Sequence, residues 1–139
     1  MKPILLDTSV IVALMQREAP RHTECARVVS TIQRPIVTCE AVITESCHIL
    51  RRFPGAREAV LTNLEHGEFE IPFALSQSID AVRSLMHKYR DVPADFADAC
   101  LIQMADELDT GDILTLDSDF VTYRWRKNRS FELLIPLRG

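Results

Sequence analysis

No apolar run in the 139-residue chain approaches the about 20 residues that a membrane-spanning helix needs. The N-terminus offers a single Lys2 and a short apolar stretch closed by Asp7, too little for a signal peptide, so the chain is expected in the cytoplasm. The four cysteines, Cys25, Cys39, Cys47 and Cys100, form no CxxC pair, and no His stands at metal-ligand spacing. They read as reduced thiols that behave as small hydrophobes. A strong charge of either sign is missing too: the net charge of −4 does not by itself suggest a nucleic-acid binder. Acids can nevertheless gather at one site while cations line its rim. There is no internal repeat, low-complexity segment or Gly/Ser-rich linker, so one domain spanning 1–139 is expected.

What is present is ordinary globular composition, 47% hydrophobic and 26% charged, with enough chain to bury a sizeable core. Three short apolar runs predict buried strands: Ile4 to Leu6, Ile36 to Thr38 and Ile113 to Leu116. Phe69 to Ile71, stopped by Pro72, and Phe131 to Ile135, stopped by Pro136, are weaker candidates. Between them, periodicity predicts helices over Ser9 to Gln16, Arg21 to Gln33, Glu40 to Phe53, Arg57 to Glu65, Ser76 to Tyr89 and Ala94 to Leu108. Strands apolar on both faces, alternating with helices, predict an α/β fold: a three-layer α/β/α sandwich around a parallel sheet of four to five strands. Ligands of such sheets bind beyond the carboxyl ends of the strands.

Asp7 and Asp117 each stand just past such an end. Glu45 shares a helical side with Ala41, Val42 and Ile49, and Asp98 lies among Ala97, Ala99, Leu101, Ile102 and Ala105. A carboxylate on an apolar helix surface is costly to bury unless it is paired or binds a metal. No Lys or Arg falls within a turn of Asp98, and Asp95 adds like charge. The expectation is that Asp7, Glu45, Asp98 and Asp117 converge and hold one or two divalent cations. All-carboxylate ligation favours Mg²⁺ or Mn²⁺ and suits phosphodiester chemistry. Each acid also has an ordinary structural reading. Asp7 could cap the first helix, Asp95 could be a helix N-terminal acid, and Glu45 could pair with Arg52. Asp117 and Asp119 could be turn and N-cap residues of a short helix in "SDFVTYR", the view preferred for Asp119.

The ordered set "LLDTSVIVAL", "ITESCHIL", "DFADACLIQMAD" and "ILTLDSDF" resembles the PIN domain family, and more narrowly its VapC-type toxins, from Ile4 to about Leu134. The resemblance implies a metal-dependent endoribonuclease with catalytic acids at Asp7, Glu45, Asp98 and Asp117. Asp7 and Asp98 would be metal ligands, joined by Glu45 and Asp117, with Asp95 and Asp119 as further candidates. It implies a nearby hydroxyl at Thr8, Ser9 or Thr115, with Ser9 and Thr115 favoured. It also implies in-line attack by metal-activated water on RNA, leaving a 3′-hydroxyl and a 5′-phosphate. The partners implied are RNA, a second copy in a homodimer, and an antitoxin whose C-terminal segment covers the acidic groove and can place an Arg there.

The stretch "YRWRKNR" sets Arg124, Arg126, Lys127 and Arg129 beside two aromatics, a mixture suited to gripping phosphate and stacking bases, or else a solvated turn. Arg51, Arg52 and Arg57 form a second basic cluster open to the same two readings. A DNA or structure-specific nuclease would use the same acids, and a PIN-like scaffold that binds proteins without catalysis is the non-enzymatic alternative. An aspartyl phosphotransferase is disfavoured, because no Asp stands two residues after Asp7 to act as general acid.

Overall fold

The structure is a computed structural model that describes residues 1–92 and 94–137. In chain order the elements are β1 (Ile4–Leu6), α1 (Thr8–Met15), α2 (His22–Ser30), β2 (Ile36–Val37) and α3 (Glu40–Ile49), which tightens into a 3₁₀ turn at Leu50–Arg52. They continue with α4 (Ala56–Glu65), a 3₁₀ turn at Leu75–Gln77, α5 (Ile79–Lys88), α6 (Phe96–Leu108) and β3 (Asp112–Leu114). The chain closes with α7 (Asp119–Thr122), β4 (Arg124–Trp125), β5 (Arg129–Ser130) and β6 (Glu132–Leu133). Pro93, which precedes α6 in the sequence, lies outside the described residues.

The apolar runs do form a parallel sheet. Its order is β2-β1-β3-β6, with Ile4 opposite Ile36, Leu5 opposite Ile113 and Ile113 opposite Leu133. Helices flank this sheet: α1 packs on α2 and α3, while α6 packs on α5, α3 and β4. The expected strand at Phe69 to Ile71 contracts to one parallel bridge, Glu70 with Val37. Pro72 follows at once and has no N–H for a ladder, which explains the early stop.

The third strand is also shorter than its apolar run. Beyond Leu114 the backbone N–H groups go to hydroxyls: Leu116 N donates to Ser9 Oγ at 2.9 Å and Asp117 N to Thr115 Oγ1 at 3.0 Å. Those bonds bend the chain out of the sheet toward β1. Asp7 N in turn donates to Leu114 O at 3.0 Å, so the ends of β1 and β3 are joined where both strands finish.

Helix α6 departs from its expected single apolar stripe. Ala97, Asp98, Ala99, Cys100, Leu101 and Ile102 are all buried in succession, so its N-terminal half is enclosed on every side. A helix placed there carries any acid it contains into the protein interior.

The run "YRWRKNR" forms an antiparallel hairpin, with Trp125 opposite Arg129. Trp125 lies over Gly111, where even a Cβ would run into the indole Nε1. A groove of about 890 Å³ runs past Leu14, Met15, Val29, Ile36 and Phe69. It contains none of Asp7, Glu45, Asp98 and Asp117, so the candidate chemistry lies elsewhere.

Candidate active site

Asp7 is the N-cap of α1, and its side chain also turns inward. Oδ1 accepts from Thr8 N at 2.8 Å, and Oδ2 accepts from Thr115 Oγ1 at 2.7 Å and Ser9 Oγ at 3.3 Å. The cap and the site are therefore one arrangement. Ser9 and Thr115 stitch β1 to β3 around a carboxylate that is only 4% exposed. Thr8, the third candidate hydroxyl, satisfies no hydrogen bond by geometry among the described residues, yet lies close enough to Glu45 to favour its ionised form.

Asp98, Asp117 and Asp119 form the tightest group, with one oxygen from each carboxylate within 4.8 Å of the others. Asp119 was expected as a helix cap, and the structure corrects that expectation. Ser118 occupies the N-cap position without a side-chain cap bond, Asp119 is the first residue of α7, and its carboxylate faces Asp98 and Asp117. Asp117 supplies the turn, its Oδ1 accepting from Asp119 N at 2.9 Å. Asp95 is the N-cap of α6, exposed, with Oδ1 accepting from Asp98 N at 2.8 Å. Glu45 is half-buried on α3 and makes no ion pair with Arg52 among the described residues; its neighbours in the field are Asp95 and Asp117.

Electrostatics mark the same place. Burial pushes the Asp98 carboxyl up to about 8, with Asp95 and Asp7 adding to the rise and the Tyr123 hydrogen bond opposing it. Burial pushes Asp7 up to about 6 against the hydrogen bonds from Thr115 and Thr8, with Asp117 and Glu45 adding like charge. Glu45 and Asp119 are raised as well: desolvation leads in both, the Thr8 hydroxyl opposes it at Glu45, and neighbouring acids add to it. Among the described residues no Lys or Arg pairs with any of these acids. Hard oxygen donors without sulfur or imidazole, crowded together and lacking a counter-charge, fit a hard divalent cation.

Tyr123 is the residue that sequence reasoning misplaced. It was grouped with the basic run, but it is fully buried and its Oη donates to Asp98 Oδ2 at 2.9 Å. Its ring is braced edge-on by Phe120 and Tyr89, each with centroids 5.0 Å away. The available signal was its i+3 relation to Phe120, which lets the two rings meet at the C-terminal end of α7.

Of the two readings open for the hairpin, the base-stacking one lacks a surface, because Trp125 is 7% exposed and Tyr123 is at the core. Arg124 caps the end of α7, donating to Val121 O at 2.8 Å and Tyr123 O at 2.9 Å. Arg126 pairs with Asp109 at 2.6 Å, and Arg126 and Arg129 lie over the Trp125 ring. Asp109 follows Asp98 by eleven residues, about 16 Å along the helix, so Arg126 is tied to the opposite end of α6 from the acids. Lys127 is exposed.

Comparison with known proteins agrees with this architecture. Ribonuclease VapC26 of Mycobacterium tuberculosis is 27% identical over 138 residues, spanning 98% of this chain and 95% of its own. The crystal structure of Mycobacterium tuberculosis VapC20, a sarcin–ricin-loop-cleaving toxin, superposes with a TM-score of 0.78 at 18% identity, covering 86% of this chain and 93% of that one. The PIN domain model matches residues 4–125, from the first strand through the hairpin's first strand. The chain belongs to the PIN domain family.

Proposed function

We propose that this protein is a divalent-cation-dependent endoribonuclease, the toxin of a toxin–antitoxin pair, acting in the cytoplasm as a homodimeric single-domain enzyme. The observation that carries the reading is the convergence of Asp98, Asp117 and Asp119 within 4.8 Å beside the anchored Asp7. The similarity to ribonuclease VapC26 along nearly the whole chain supports RNA as the substrate and an antitoxin as the partner.

Mg²⁺ or Mn²⁺ would be held by Asp98, Asp117 and Asp119 with Asp7 and Glu45 at the margin, and when bound would offset phosphoryl charge and make water acidic enough to attack. The protein's own contribution is preorganisation. Thr115 and Ser9 fix the Asp7 carboxylate, Tyr123 fixes one oxygen of Asp98 and leaves the other free, and the Asp117–Asp119 turn aims two acids from one short segment. Asp98 would have to give up its proton to hold the cation, so affinity should rise with pH through about 8.

The test is cleavage of an RNA panel that includes the sarcin–ricin loop, alongside matched DNA, with Mg²⁺ or Mn²⁺ against chelator, for wild type and Asp98→Asn. The expected result is cation-dependent RNA cleavage that the substitution abolishes. Cleavage of DNA alone would replace the substrate assignment, and full-rate cleavage by Asp98→Asn would overturn the site.

A further inference from the structure

Two basic segments stand out in the sequence, and the structure treats them oppositely. The hairpin arginines are tied to carbonyls, to Asp109 and to a buried Trp125. In "RRFPGAR", Arg51 to Arg57, the cations are exposed and no ion pair among the described residues involves Arg51, Arg52 or Arg57. Among the described residues Arg51 donates only to His48 O, at 2.7 Å, and Phe53 is 45% exposed.

Position and shape support a common task. Arg52 follows Glu45 by seven residues, four along α3 and three through the 3₁₀ turn, about 12 Å along the axis, so the corner extends the end of the helix that carries Glu45. The bend is preformed. Ala56 N donates to Phe53 O at 3.1 Å, Pro54 takes the second position, and Gly55 has φ 77° and ψ −8°, the dihedrals of a type II turn's third residue. Side chains on a rigid corner lose less freedom when they bind.

Charge argues for a polyanion. Without its cation the acid cluster repels phosphate, and among the described residues no basic residue pairs with it, so cations elsewhere on the surface must add attraction along the rest of the strand. Arginine forks match phosphate oxygens, and an exposed aromatic ring accepts a stacked base of any sequence.

We propose that the Arg51–Arg57 corner binds the RNA strand that passes through the acidic cluster, with Arg51 and Arg52 on successive phosphates and Phe53 under a base. This inference rests on the nuclease reading, and the experiment separates the two. A short fluorescein-labelled single-stranded RNA of mixed sequence is titrated by anisotropy into Asp98→Asn protein across a salt series. The same titration is run with Arg51→Ala/Arg52→Ala, Phe53→Ala or Lys127→Ala/Arg129→Ala added, and sedimentation records the mass of each variant. The arginine pair should weaken binding at least tenfold at low salt and reduce the slope of log Kd against log salt by about 1.4, two contacts at about 0.7 each. Phe53→Ala should weaken binding with little change in slope, and the hairpin pair should change neither. An unchanged slope in the arginine variant overturns the inference. Unchanged RNA binding with an altered mass would make the corner a protein interface and overturn it equally. Failure of the Asp98→Asn parent to bind RNA at low salt would remove the nuclease reading together with it.

Discussion

At the scale of single residues, the site is a set of carboxylates whose orientations other side chains enforce. Tyr123 is the clearest case, since its hydroxyl is the buried donor to Asp98 and its ring packs whether or not the hydroxyl is present. Tyr123→Phe is expected to keep the fold and to weaken Mn²⁺ binding about tenfold, the low end for loss of an outer-shell partner. Mn²⁺ spin resonance alongside thermal melting would check this, and unchanged affinity would leave Tyr123 with a packing role only. Thr115→Val should act on Asp7 in the same sense. It deletes the 2.7 Å bond to Oδ2 and also the acceptor for Asp117 N, so the turn carrying Asp117 and Asp119 should loosen. Stability should fall by about 1–3 kcal/mol from the buried groups left unpartnered, read from denaturant melts.

At the scale of elements, Asp7 and Asp117 were legible because an apolar run stops at each, and Asp98 because the helix around it is apolar. Asp7 after β1 and Asp98 within an enclosed helix stand out because nothing local compensates them. Asp119 was legible as a further candidate only through the family resemblance, because a one-residue difference in where α7 begins decides whether its carboxylate caps the helix or faces the cluster. The hairpin was illegible for another reason. Its strands are two residues each, and its bend uses Arg126 and Lys127 at φ 42° and 71°, without the Asn-Gly or Asp-Gly pair that marks such turns. What holds it is a distant contact, Trp125 on Gly111, which no local pattern reveals. Gly111→Ala should displace the indole and destabilise the protein by about 1–3 kcal/mol, an overpacking cost. A melt together with Trp fluorescence, which should shift red, checks it.

At the scale of the whole molecule, parallel topology does the gathering: β1, β3, α3 and α6 bring acids from positions 7 to 119 to one region. The sheet class followed from doubly apolar strands, whereas the order β2-β1-β3-β6 did not, since short strands carry no signature of their neighbours. Crowding the acids has a thermodynamic signature. Asp98 has a folded pKa of about 8, raised from 3.8, so between those values the folded state holds a proton that the unfolded state has lost. The cation-free protein should therefore lose stability as pH rises from about 4 to about 8, with Asp7 contributing the same sign up to about 6. Asp98→Asn should flatten much of that decline, and melts in chelator across the range would show it.

The central claim, that these acids are a cation site built for RNA cleavage, is tested most directly by calorimetric titration of Mn²⁺ into wild type and Asp98→Asn at neutral pH, with RNA cleavage assayed in the same samples. Binding to wild type with proton release, weakened strongly by the substitution together with cleavage, is the predicted result. Equal binding by both proteins, or by neither, would contradict it.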